Sequence, residues 1–355
     1  MKIAIVDVAA ESSGAASVLF DFVEALGKSP LAQKHEWLVL TGLISVPECG
    51  HIRNIRVPEV KKSRMKRLLW ERREFPRLME KEGVDVVVSL QNKALPKGKW
   101  RQVVYFHNML LLSKASRFSL FKKEERPYAI YTHLIGPLTR NSWKHASLFA
   151  VQTHAAADTI GKYLPKGAKV LVLPPAIKPY PVGNEAWDEV GGLIYPAAPI
   201  PFKRQDALVS RVQMPRGRQL LLTMTGHENG YAERVRTLAD GKEDIRFTGY
   251  LPREEILSGY DRGTYGLIVV SEIESYPIPF AEAMQAGAPI VAADYSYARE
   301  VLGDYENAFF VRQDLGDLND GIARALVAKR CAPKLPAGGS WEDFIVGILE
   351  VGGAE

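Results

Sequence analysis

Along the chain, short uninterrupted runs of β-branched and other apolar residues alternate with stretches whose apolar positions recur every three or four residues. The first set of runs is KIAIVDV (2–8), EWLVLT (36–41), VDVVVSL (84–90), RQVVYFH (101–107), SLFAVQT (147–153) and KVLVLPP (169–175). Strands apolar at successive positions have both faces covered, which suits a parallel sheet between helical layers. A Pro- and Gly-rich passage, PPAIKPYPVGNEAWDEVGG (174–192), breaks the alternation and reads as a linker. A second set follows: GLIYPA (192–197), RQLLLTMTG (218–226), DIRFTG (244–249), YGLIVVS (265–271), PIVAAD (289–294) and AFFV (308–311). The pattern predicts an α/β protein with two doubly wound domains in tandem, over 1–180 and 181–332. The last segment, 333–355, holds a serine N-cap at Ser340 before the apolar face of WEDFIVGIL, set apart by CAPKLPAGG. It is expected to pack away from its immediate predecessor.

Composition narrows the class. A chain of 355 residues, 46% hydrophobic and 25% charged, accommodates two globular cores and is neither disordered nor fibrous. Two cysteines, Cys49 and Cys331, are too few for a disulfide framework or a Cys-based metal site, so a reducing, cytoplasmic compartment is expected. The opening MKIAIVDVAAE carries Asp7 and Glu11 inside its apolar run and fails as a signal peptide. No uncharged apolar stretch approaches the ~18 residues a membrane span needs.

Charge divides the chain. Residues 1–180 carry 29 Lys and Arg against 15 Asp and Glu, whereas residues 181–355 carry 17 against 26. The surplus is densest in KKSRMKRLLWERREFPRLMEK, Lys61 to Lys81, where Lys62, Arg64, Lys66 and Arg67 stand beside Leu68, Leu69 and Trp70. Such a stretch is either a solvated helix face or a contact for an anionic membrane surface or an acceptor, with the apolar residues, Trp70 included, entering the interface. Nucleic acid is not expected as a partner, because no recognition motif accompanies the charge.

Chemistry concentrates at two strand ends. The first strand gives way at Asp7–Val8 to AAESSGAAS, where Gly14 could bring a helix N-terminus to a phosphate or sugar. One glycine is not a dinucleotide fingerprint, and any strand-to-helix turn can contain one. The richer stretch is SEIESYPIPFAEAMQAGAPIVAADYSYAREVLGD (271–304). Its strand delivers Glu274 to a loop, Pro279 suits a first helical turn, Glu282 lies in the opening turns, and Gly287 and Pro289 end the helix. Two carboxylates so spaced can grip a sugar hydroxyl and a ribose diol while helix N–H groups face a diphosphate. Equally, they can be helix-terminal acids that stabilise the dipole.

The segment Glu274-Ser275-Tyr276-Pro277-Ile278-Pro279-Phe280-Ala281-Glu282-Ala283-Met284, followed by Gly287 and Pro289, resembles the Glu-x7-Glu hallmark of the retaining GT-B glycosyltransferases of the family-four type. Similarity continues through SLQN (89–92), VVYFH (103–107), LFAVQT (148–153), IRFTGYLPREEI (245–256) and REVLGD (299–304). The resemblance implies a GT-B architecture of two Rossmann-like domains facing a cleft. The acceptor would be held by the first domain and a nucleotide diphosphate sugar by the second, with the tail helix returning to the first. It implies that Glu274 contacts the donor sugar and Glu282 the ribose, with Ser275, Tyr276 and Ile278 as further donor contacts. Lys203 is implied to neutralise the leaving diphosphate, and His107 to face the cleft near the reacting sugars. Two positions depart from the family pattern. Ala198 stands where relatives carry an arginine, leaving Arg204 as the expected substitute, and Pro277 stands where many have glycine, removing one N–H from the donor loop.

The expected reaction is sugar transfer to an acceptor hydroxyl with retention, in cell-surface polysaccharide or glycolipid assembly. The acceptor is expected to be a saccharide or lipid-linked saccharide, and the protein to sit peripherally on the inner face of the membrane. The alternatives are a nucleotide-sugar epimerase of the same fold and a non-catalytic nucleotide-sugar-binding subunit. No metal or other cofactor is expected, since the seven histidines do not cluster at ligand spacing and no Asp-x-Asp occurs.

Overall fold

The structure is a computed structural model that describes residues 1–11, 14–112, 118–183, 186–336 and 338–353. Its strands, in chain order, are β1 (Lys2–Asp7), β2 (Glu36–Thr41), β3 (Ile52–Arg56), β4 (Val86–Ser89), β5 (Arg101–Phe106), β6 (Leu148–Val151) and β7 (Lys169–Val172). They continue as β8 (Gly192–Tyr195), β9 (Gln219–Leu222), β10 (Ile245–Phe247), β11 (Gly266–Val269), β12 (Ile290–Ala293) and β13 (Ala308–Val311). The earlier helices are α1 (Gly14–Lys28), α2 (Arg64–Leu69), α3 (Phe75–Glu82), α4 (Arg126–Ile130), α5 (Gly136–Ser142) and α6 (His154–Gly161). The later ones are α7 (Gln205–Arg211), α8 (Gly230–Leu238), α9 (Arg253–Asp261), α10 (Ile278–Gln285), α11 (Ser296–Leu302), α12 (Leu318–Leu326) and α13 (Trp341–Gly352).

The chain forms two units. Unit 1 comprises Met1–Leu112, His133–Ala176 and Gly338–Glu355; unit 2 comprises Ser113–Thr132 and Ile177–Ala337. The linker falls where Pro and Gly cluster. The grouping of 118–132 with the second unit has no counterpart in the hydrophobic pattern, because that segment carries no strand.

Unit 1 is built on a seven-stranded sheet in the order β3-β2-β1-β4-β5-β6-β7, and unit 2 on a six-stranded sheet in the order β10-β9-β8-β11-β12-β13. All of these strand pairs are parallel, with registers such as Ile3↔Trp37, Val104↔Phe149 and Val291↔Phe309. Both sheets are covered on two faces, so strands such as VVVS in β4 and IVAA in β12 are buried at every residue. Each strand order reverses once, between β1 and β4 in unit 1 and between β8 and β11 in unit 2. At such a switch point the loops beyond the strand ends diverge to opposite faces and leave a crevice.

Helix α1 buries Leu19, Phe22, Val23 and Leu26, the three-and-four spacing of a core-facing stripe. Against it lies α13. Ser340 caps this helix by accepting from the Glu342 N–H at 3.1 Å, and Phe344, Ile345 and Ile348 are fully buried. Phe344 meets Phe22 at a centroid separation of 5.2 Å and Tyr105 at 5.9 Å, and Arg101 Nη1 donates to the Val351 carbonyl at 2.8 Å. The tail segment is therefore a layer of unit 1, separated from the residues that precede it.

The basic stretch is one helical run with a π turn in the middle: α2, a π segment over Trp70–Glu74, then α3. Two expectations about its surface are corrected here. Trp70 is buried with Phe75, their rings 5.5 Å apart, because the extra residue of the π turn rotates the indole onto the sheet instead of leaving it on the outer face. Arg67 turns inward to Glu71 at 3.0 Å and to Gln91, its charge matched inside the unit. Lys62, Arg64 and Lys66 remain exposed, with Met65, Leu68 and Leu69 beside them.

Candidate functional site

In unit 2 the two loops at the switch point clasp one another. The loop after β8 ends in a 3-10 turn, Pro201–Lys203, and the loop after β11 carries Ser271 to Pro277. The Glu272 N–H donates to the Phe202 carbonyl at 2.8 Å, and Tyr195 Oη donates to the Lys203 carbonyl at 2.8 Å. Tyr297 Oη donates to the Ser271 carbonyl at 2.6 Å. Burial first and the nearby Glu274 charge second hold both hydroxyls far above the ordinary tyrosine range, so both stay protonated donors. The consequence is an ion pair between Lys203 Nζ and Glu274 Oε1, with only 19% and 15% of the side chains exposed. Two residues singled out 71 positions apart thus meet.

Glu282 sits one helix further on, buried in α10. Its Oε1 accepts from Arg253 Nε of α9 at 2.5 Å, and its own carbonyl accepts from Tyr180 Oη at 2.8 Å. Pro279 occupies the first turn of α10, where a missing N–H costs nothing, and Pro277 is the residue before Ile278 that opens the helix. The helix stops at Gly287, whose φ of +70° favours glycine and where a Cβ would stand 2.2 Å from the Cys331 carbonyl. Ile278 is exposed beside these loops, whereas the Tyr276 hydroxyl is buried without a partner, and burial pushes it up to about 12.

Arg204 goes elsewhere. It adopts the left-handed conformation, φ 57°, between the 3-10 turn and α7, and its Nη1 bonds Tyr295 Oη at 3.1 Å and the Gln313 carbonyl at 2.7 Å. Beside Phe202, whose ring meets Tyr128 edge-on at 5.9 Å, a pocket of about 600 Å³ opens within the same unit. It is bounded by Pro199, Pro201, Tyr128 and the Asn229–Tyr231 start of α8.

In unit 1 the corresponding switch point collects charge. Asp7, at the end of β1, is 2% exposed; its Oδ1 accepts from the Ala10 N–H at 3.3 Å and its Oδ2 has no partner. Burial raises its carboxyl to about 7 against the weaker pull of Arg67 and Lys61. Beyond β4, Lys93 clamps the buried Glu71 at 2.6 Å, and burial lowers the lysine from its usual range. His107 follows β5. Its main-chain N–H donates to Asn92 Oδ1 at 2.7 Å, its ring Nδ1 is buried without a partner, and burial lowers it to about 4, a neutral imidazole at neutral pH. Gly14 begins α1; residues 12 and 13 of the loop before it lie outside the described residues.

Sequence reasoning passed over Arg253 and Asp7. Arg253 was visible only as one cation in GYLPREEI, and nothing local marks it as the partner of an acid 29 positions away. Asp7 carried a fair signal, an acid closing the continuous apolar run KIAIV at a strand end. Among the described residues, no three His, Cys, Asp or Glu side chains gather as a metal-binding group.

Residues 194–333 match the family model described as glycosyl transferases group 1. No curated protein sequence matches the chain. Among solved structures, the chain is similar in fold to a sucrose-phosphate synthase from Thermosynechococcus elongatus, with TM-score 0.68, 17% identity, and 99% of this chain and 98% of that one covered. It is also similar to WaaG, a glycosyltransferase involved in lipopolysaccharide biosynthesis (TM-score 0.60, 15% identity, 99% and 94% covered). A third likeness is to a glycosyltransferase from Rickettsia africae ESF-5 (TM-score 0.57, 14% identity, 99% and 92% covered). What the resemblance implied for the fold therefore holds: the architecture is GT-B, and the stretch that matches the group 1 model lies in its second unit.

Asp7 and His107 make opposite contributions to the pH dependence of stability. The native state keeps the Asp7 proton that the unfolded chain loses above 3.8, so this stabilisation fades as pH rises towards about 7. The unfolded chain takes up the His107 proton below 6.5 while the native state refuses it until about 4, so this contribution fades as pH falls. Between pH 4 and 6.5 the two slopes, each about 1.4 kcal/mol per pH unit, oppose one another. In urea unfolding across that range, Asp7→Asn is expected to give stability that rises with pH and His107→Asn stability that falls. Parallel curves for the two variants contradict the assignment.

Proposed function

We propose that this chain is a group 1 glycosyltransferase that transfers a sugar from a nucleotide diphosphate sugar to an acceptor hydroxyl with retention of anomeric configuration. The observation that carries the reading is the Lys203–Glu274 pair at the unit 2 switch point, with Glu282 on the helix that follows. A crevice beyond parallel strand ends is where α/β sheets take ligands, and this one offers the charges a nucleotide sugar requires.

In this reading the Lys203 ammonium takes up the negative charge that develops on the diphosphate as the bond to the anomeric carbon breaks. Opening its pair with Glu274 frees that carboxylate to accept from donor-sugar hydroxyls. Glu282, paired with Arg253, accepts from the ribose hydroxyls, and Ser275, Tyr276 and Ile278 supply the surrounding loop. The acceptor oxygen attacks from the face the diphosphate leaves, and its proton passes to the departing phosphate oxygen, so no carboxylate becomes a covalent nucleophile. His107, neutral, serves as a hydrogen-bonding group, and Arg204 acts on the loop that carries Lys203. Since Lys203 supplies the counter-charge, the reaction is read as metal-independent.

The acceptor is read as lipid-linked and the protein as peripheral, in cell-surface polysaccharide or glycolipid assembly. Supporting this, Lys62, Arg64 and Lys66 are exposed beside Met65, Leu68 and Leu69, and a groove of about 420 Å³ separates Leu68 and Arg72 from Ile135 and Leu138, the last 64% exposed. Cations held at an anionic bilayer contribute about 1 kcal/mol each.

Glu274→Ala is expected to lower turnover about a hundredfold, near 3 kcal/mol of transition-state stabilisation, with the fold intact. The assay is mass-spectrometric detection of sugar transfer and diphosphate release over a panel of nucleotide sugars. Wild-type turnover in the folded variant overturns the site, and interconversion of the donor without transfer turns the reading towards an epimerase.

Co-sedimentation with anionic vesicles is expected to weaken as salt rises and to fall when Lys62, Arg64 and Lys66 become glutamine, while Trp70→Phe leaves it unchanged. Indifference to anionic vesicles at low salt returns the stretch to a solvated face and the acceptor to solution.

A further inference from the structure

On unit 1, remote in sequence from the switch-point residues, a cysteine and a histidine are fixed against each other. Cys49 and Ile52 bond reciprocally, N to O at 3.1 Å and 3.0 Å, which makes residues 49–52 a two-residue hairpin with Gly50 and His51 at its corner. The His51 carbonyl accepts from the Trp37 N–H of β2 at 2.8 Å, so the corner is moored to the sheet. The ring is moored as well. Its Nε2 lies 3.0 Å from the Leu26 carbonyl in the last turn of α1. That carbonyl has no helical donor four residues on, because position 30 is proline.

A carbonyl only accepts, so Nε2 carries the hydrogen, and the lone pair of the neutral ring is on Nδ1. Nδ1 faces Cys49 Sγ at 3.5 Å. The thiol is exposed, and it lines a mostly apolar pocket of about 390 Å³ with Phe20, Val23, Pro47 and Ile52. The second cysteine is placed differently: Cys331 is half-buried, with Sγ 3.6 Å from the Gly287 carbonyl. A thiol beside an oriented imidazole base, at the wall of an open apolar pocket, has the parts of an activated nucleophile.

We propose that Cys49 is a covalent modification site that undergoes thiol–disulfide exchange with small apolar disulfides, His51 acting as its base. Sγ attacks one sulfur of the reagent as its proton passes to His51 Nδ1. The Sγ–S bond forms, the reagent's S–S bond breaks, and the proton returns to the departing thiolate, which leaves as a thiol. The exchange is redox-balanced, and a reducing thiol reverses it.

The test uses the full chain carrying Cys331→Ser, with dipyridyl disulfide as the probe and thiopyridone release as the readout. Native protein is expected to react about tenfold faster than the same chain unfolded in urea, an excess that exposure alone does not produce. Mass spectrometry should place one pyridylthio group on Cys49, removable by reductant. His51→Gln in the same background should abolish the excess, and the Cys49→Ser chain, with Cys331 intact, should react more slowly when native than when unfolded. A native rate at or below the unfolded rate overturns the proposal, and so does an unchanged rate in folded His51→Gln. The native-to-unfolded comparison stands whether or not the His51 variant folds.

Discussion

The candidate donor site depends on the clasp between the loops after β8 and β11. Parallel strands on either side of a switch point send their following helices to opposite faces, so these two loops leave their strand ends divergently. They are drawn together by the Glu272 N–H on the Phe202 carbonyl, while Tyr195 of β8 holds the Lys203 carbonyl of the first loop and Tyr297 of α11 the Ser271 carbonyl of the second. Only with the backbone so fixed does Lys203 find Glu274 instead of water. The buried tyrosines support this, one from β8 and one from α11, each donating to a carbonyl of one loop. The same economy places Glu282: α10 begins directly after the second loop, and Arg253 offsets the cost of burying its carboxylate.

Unit 1 treats its charges in another way. The sequence surplus of cations suggests an open basic face, yet part of it is consumed internally. Arg67 and Lys93 surround the buried Glu71, and Lys61 reaches the Ala9 carbonyl at 2.6 Å and Glu11 at 2.7 Å. What remains outside is narrower, Lys62, Arg64 and Lys66 with three apolar neighbours. Counting charges along a helix overstates its surface wherever a π turn changes the facing residues, and Trp70 is the residue that shows it.

The strands and their order of appearance were legible in the sequence because a doubly covered parallel sheet demands continuous apolar runs. β3 (IRNIR) escaped notice, since an edge strand with one half-exposed face lacks such a run. The Glu274 and Glu282 positions were legible from spacing and family likeness, whereas their partners were not. Lys203 was expected near a phosphate, but its pairing with Glu274 arises from loop geometry that no local pattern encodes. Arg253, Asp7 and the Cys49–His51 corner are likewise products of tertiary placement. A charged residue in a loop reads the same in sequence whether it faces solvent or a buried acid.

Direct titration calorimetry with a panel of nucleoside diphosphates tests most closely whether Lys203 faces the diphosphate of a bound donor, leaving Glu274 to its sugar. At least one diphosphate should bind wild-type protein, with affinity reduced about tenfold or more in Lys203→Ala and unchanged in a variant carrying glutamine at Lys62, Arg64 and Lys66. Wild-type affinity in folded Lys203→Ala contradicts the account.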